Sequence, residues 1–165
     1  MTTATRITVR VPEEAHFETC DYMADPALDA LLVDVTSRYK RLTVIEDHGI
    51  SVAVLWKRRG GKKAGNPVYG ACQKPSGLLA YFCTSDFVIW LGADNIAAQE
   101  WTTLEIEKQL YHECRRIGWA DGDPEKDEPG TPILVGPNLE LFVGEVADTG
   151  AWHRYLTVLG MDFQQ

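Results

Sequence analysis

The sequence predicts an α+β domain: a small, mostly antiparallel sheet packed on one central helix, with flanking helices before and after it. Three observations lead there. Residues 102–119, TTLEIEKQLYHECRRIGW, carry the period of one amphipathic helix. Residues 25–40 carry a second helical pattern. Most of the remaining chain is short β-rich runs punctuated by turn residues. At 165 residues the chain is one domain by length, 1–165, in which 153–165 read as a short C-terminal helix or tail.

In the central helix, Thr102 and Glu105 have capping-box spacing. Ile106, Leu110, Cys114 and Ile117 form a core stripe, and Glu105, Gln109, His112 and Arg116 lie along a neighbouring face. The rest is taken in chain order. TRITVRV, residues 5–11, alternates like a first strand, which Pro12 ends. His16 and Cys20 stand four apart, but nothing beside them completes a metal site, so the segment 13–25 is read as partly exposed chain. Asp25-Pro26 opens a helix whose core face is Leu28, Leu31, Leu32, Val35 and Tyr39. LTVIE and ISVAVLW, within 42–56, read as two strands around the turn Asp47-His48-Gly49, which makes His48 a loop residue.

KRRGGKKAGNP, residues 57–67, reads as a mobile loop. Lys57, Arg58, Arg59, Lys62 and Lys63 make it the one concentrated basic stretch. Residues 68–73, 78–84 and 86–91 suit strands, with a turn at 74–77. Residues 93–99 lead into the central helix, and Asp94 is read as a turn residue. DGDPEKDE, 121–128, lacks the order of a calcium loop and reads as a solvated acidic loop. Thr131–Val135 is a short strand. Asn138 can cap a helix with Leu139, Phe142, Val143 and Val146 on one face, ended by Gly150.

The net charge of −8 argues against a general grip on nucleic acid. The four cysteines show no C-x-x-C pairing, the first residues have no apolar signal core, and no apolar run has membrane length. A reduced cytoplasmic setting without membrane contact is expected.

His112-Glu113 is the front half of H-E-x-x-H. In that helix motif, histidines four apart hold zinc while the glutamate beside the first polarises the bound water. Here the fourth residue after His112 is Arg116. Three blocks then resemble the putative phage metallopeptidases, which are small zincin-like proteins. They are ISVAVLWKRRGGKKAGNPVYGACQK, then DFVIWLGADN followed by LEIEKQLYHEC, and GPNLELFVGEVADTGAW. Together they span about residues 42–152.

The resemblance implies a zincin-like fold with helix 102–119 at the base of a cleft and an edge strand as one wall. It also implies a phage or prophage origin, and hence the host cytoplasm. It places a vestigial metal ligand at His112 and a general base at Glu113. Two ligand positions depart from the family: Arg116 stands where the second histidine belongs, and Pro137 where the ending block begins with histidine. Glu140 matches a family carboxylate. A guanidinium near His112 disfavours a dication, and Arg116, three residues from Glu113, can pair with it and occupy the vacant site.

The expectation is a metallopeptidase relative that has lost hydrolysis, holds no cofactor and binds a host or phage protein, with the 57–63 basic residues and the tryptophans as candidate contacts. Two alternatives stand beside it. One is an active zinc metallopeptidase in which His112 is joined by Glu140, His48 or His153. The other is a nucleic-acid adaptor using residues 57–63.

Overall fold

The computed structural model describes residues 7–136 together with Asp148. Its architecture is α+β, as the sequence predicts. The main sheet has four strands: β1 (Tyr22–Met23), β2 (Val52–Lys57), β5 (Gly70–Gln73) and β6 (Phe87–Gly92), in the order β1-β2-β6-β5. Only the β2–β6 pair is parallel, with Val54 opposite Ile89 and Trp56 opposite Leu91. The β1–β2 and β5–β6 pairs are antiparallel. Two antiparallel ribbons complete the strands of the described residues: β3 (Lys62–Lys63) with β4 (Asn66–Pro67), and β7 (Ile117–Ala120) with β8 (Thr131–Leu134).

Alternation along the strands gives the sheet two faces. Val54, Trp56, Cys72, Phe87, Ile89 and Leu91 are buried beneath two helices, α1 (Pro26–Arg38) and α5 (Thr103–Cys114). Helix α1 starts where the sequence places it. Asp25 caps it by accepting the Ala27 N–H at 2.9 Å, and Pro26 is the first helical residue. Leu28, Leu31, Leu32 and Val35 are its buried face. The second oxygen of Asp25 accepts the Trp56 indole N–H at 2.9 Å, which satisfies a polar atom carried by a fully buried ring.

Several segments differ from the sequence reading. Residues 7–11 join no ladder; Val9 is buried by docking on α5, where its N–H donates to Thr103 Oγ1 at 3.1 Å. Residues 5 and 6 lie outside the described residues. LTVIE is not a strand: a 3-10 turn at Lys40–Leu42 runs into the short helix α2 (Thr43–Asp47), which buries Leu42 and Ile45. Apolar residues three apart serve one helical face, and this outweighs the β propensity of Thr, Val and Ile.

Residues 78–84 are not a strand either. Helix α3 (Gly77–Phe82) occupies them. Residues 93–99 contain a helix of their own, α4 (Ala93–Ala98). The basic loop holds the β3–β4 ribbon, turned by Ala64 and Gly65 at positive φ, a pair of torsions that suits a tight hairpin. The turn at 48–49 is as expected, with Gly49 at φ 59°.

The central helix is shorter than its period. It ends at Cys114, and residues 117–120 are β7 instead of a last helical turn. Arg116 N–H bonds Glu113 O at 3.1 Å, a tightened turn, after which the chain pairs with β8. The helix and tail expected after Asn138 lie outside the described residues.

Candidate functional site

The site forms where α5 meets β5, one of the two edge strands of the main sheet. The capping box opens α5 as predicted: Thr102 N–H donates to Glu105 Oε2 at 2.6 Å, and Thr102 Oγ1 lies 2.9 Å from the same oxygen. The core stripe is also in place, with Ile106, Leu110, Cys114 and Ile117 all buried. Cys114 faces the core and is therefore turned away from His112.

Glu113 is buried to 3% exposure, an unusual place for a carboxylate. One helical turn before it, Gln109 is also buried and donates from Nε2 to Glu113 Oε1 at 2.8 Å. On the strand side, Gly92 N–H donates to Tyr69 O across the β5–β6 ladder, so alternation turns the backbone groups of Gly70 and Cys72 away from β6. The Cys72 amide faces Glu113 from the strand and favours its charged form. Gly70 leaves room for the carboxylate, since a Cβ there would stand 3.2 Å from Glu113 Oε1.

Burial raises the Glu113 pKa; the neighbouring His112 and Arg116 charges, the Gln109 hydrogen bond and the Cys72 amide lower it and only partly offset that rise. Burial also pushes the Cys72 thiol up to about 12, with the Glu113 charge adding to the shift. The Cys114 thiol is raised by burial as well.

His112 is half-buried at the end of α5. Arg116, beyond the helix end, donates from Nε to Val135 O at 3.3 Å, and the Val135 N–H returns a bond to Arg116 O at 2.7 Å. Its guanidinium thus fastens β8 to the turn while its charge still reaches Glu113. His48 stacks flat on Trp119, with ring centroids 4.1 Å apart. His16 Nδ1 accepts the Glu13 N–H at 3.0 Å in a local cap, and Cys20 is exposed. Glu140 and His153, together with Pro137, lie outside the described residues.

Zinc takes three protein ligands in such sites. Among the described residues no three His, Cys, Asp or Glu side chains gather into such a set. Of the motif positions, His112 is the one donor, and a cation occupies the second.

The basic stretch is dispersed. The Lys57 ammonium lies 4.3 Å from the centre of the Trp90 ring, and Arg58 and Arg59 both pair with Glu14, at 3.4 and 3.0 Å. Lys62 and Lys63 are exposed on β3. Asp94 is not a turn residue: in the first turn of α4, its Oδ1 accepts the Gly60 N–H at 2.7 Å and holds the loop against the sheet. No helix of the described residues is long and apolar enough to cross a membrane.

Sequence reasoning missed the role of Gln109. The signal was present: Gln109 and Glu113 are four apart on a helix, the spacing of a side-chain hydrogen bond.

A family model described as putative phage metallopeptidase matches residues 20–159. It extends beyond the 42–152 blocks at both ends and takes in β1 and α1. Comparison with curated proteins and with solved structures found no match.

Proposed function

The chain belongs to the putative phage metallopeptidase family, and from that premise we propose that it binds a protein partner, from phage or host, without hydrolysing it. The observation that carries this reading is the state of Glu113. A general base must face an open position where water and substrate can enter. Glu113 is instead buried between α5 and β5, with Gln109 as its hydrogen-bond partner and the Cys72 amide beside it. Replacement of the second motif histidine by Arg116 removes a ligand and puts a permanent charge where it repels a dication. The degenerate motif is then part of the structure that holds a zincin-like frame together. The frame still offers an edge strand and the Lys62–Lys63 ribbon as contacts.

The test is zinc content and peptidase activity on one preparation. The binding reading expects well below one zinc per chain after dialysis, and no cleavage that depends on Glu113. Stoichiometric, tightly held zinc together with cleavage abolished by Glu113→Gln would overturn it, in favour of a ligand set built on His112 with Glu140, His48 or His153.

A further inference from the structure

Helix α3 has no buried residue, although five of its six side-chain positions are apolar. Leu78 is 78% exposed, Leu79 59%, Tyr81 84% and Phe82 72%. A contiguous exposed apolar patch of this kind marks an interaction site. Leu78, Tyr81 and Phe82 stand at i, i+3 and i+4 and form one ridge. On its other side, Leu79 and Cys83 form one wall of a groove of about 630 Å³. The groove runs over the outer face of the main sheet, with Leu55, Val88 and Trp90 as its floor and Tyr22 and Leu134 at its rim.

We propose that this face is the interface of a homodimer related by a twofold axis, in which the α3 ridge of each copy fills the groove of the other. A twofold interface requires the same patch to be self-complementary. Here a convex apolar ridge and a concave apolar groove lie side by side, so one rotation satisfies both.

The area fits. At the exposures given, the four α3 side chains leave roughly 550 Å² uncovered, and Tyr22 and Leu134 bring the face close to the about 800 Å² per partner of a standard interface. The charge also fits. Two chains of net charge −8 repel unless they meet where carboxylates are absent, and among the described residues no Asp or Glu lines the groove. Among the described residues the charges at the groove are cationic: Lys74 has its Nζ on the Pro132 carbonyl, and the Lys57 ammonium stands over the Trp90 ring. A membrane surface is the poorer occupant, because α3 lacks the Lys/Arg-rich polar face of an interfacial helix.

Sedimentation equilibrium over about 1–100 µM tests this. The full chain, 18.4 kDa, is expected to approach twice that mass at the top of the range. Tyr81→Lys and Phe82→Lys, both on the exposed ridge, should each weaken association at least tenfold with an unchanged circular dichroism spectrum. A wild type that stays monomeric overturns the proposal. So does a dimer that both variants leave intact, since its interface would then lie elsewhere. Flotation of a monomeric wild type with phosphatidylcholine vesicles would also overturn it and assign the face to lipid. The zinc measurement is independent of each of these outcomes.

Discussion

The Gln109 Nε2 donates to Glu113 Oε1 at 2.8 Å, and both side chains are buried. This bond makes the motif glutamate an internal group of the α5–β5 contact. It also fixes how Glu113 should respond to pH and to substitution.

Burial raises the folded-state pKa of Glu113 above the usual carboxylate value near 4.5. Between the unfolded and folded values, the folded chain keeps a proton that the unfolded chain has released, so this group's contribution to stability falls as pH rises through that window. The contribution is complete below about pH 4.5. Glutamine imitates the protonated acid and has no such loss. Glu113→Gln should therefore match the wild type near pH 4 and unfold a few degrees higher at pH 8, at about 2–4 °C per kcal/mol for a chain of this size. Thermal melts at both pH values check it. A wild type that gains on the variant as pH rises would mean that the carboxylate is stabilised as an anion, and the account of Glu113 would fail.

Asp25 serves two elements at once. One oxygen caps α1 and the other accepts the indole N–H of Trp56 in β2. Asp25→Ala loses a helix cap and leaves a buried donor unpaired, for a combined cost of about 2–4 kcal/mol. Asp25→Asn keeps one acceptor oxygen and should lose less. Urea unfolding of the three proteins measures the order. An alanine variant within about 0.5 kcal/mol of wild type would show that water satisfies Trp56 as well as the carboxylate does.

The parts of the fold that were legible are those where one periodic signal and one terminator agree. Helix α1 has Asp25-Pro26 at its start and a regular leucine stripe; α5 has its capping box. Strands β2 and β6 read as continuous apolar runs because their outer face, with Leu55, Val88 and Trp90, is apolar as well as their buried one. The misread segments lack a second signal. LLAYFCT looks like a buried strand, but α3 buries none of it, and a short apolar run has no period that distinguishes strand from helix. At the far end of α5, Arg115 and Arg116 do not break a helix. The chain leaves it because β7 has a partner in β8, and Gly118 allows that approach: a Cβ there would stand 2.5 Å from Val135 Cγ2. Such a partner is remote in sequence. The site was half legible for the same reason. His112, Glu113 and Arg116 are visible as a broken motif, whereas the Cys72 amide enters only when β5 is laid beside α5.

The four thiols differ in access, and two of them report on that contact. Cys20 is exposed and Cys83 half-buried, while Cys72 and Cys114 are buried beside Glu113. The thiolate is the reactive form. With its pKa pushed up to about 12, Cys72 is ionised at pH 8 in only about one molecule in ten thousand. A disulfide reagent at pH 8 should therefore modify Cys20 quickly and Cys83 more slowly. Cys72 and Cys114 should react only as fast as the domain opens. Cys20→Ser should remove the fast phase and leave the others unchanged, and all four thiols should react at once in denaturant. If a third thiol reacts rapidly in the native protein, β5 and α5 separate on that timescale. Glu113 would then be open to water for part of the time, and the case for a sealed, non-hydrolytic site would lose its main support.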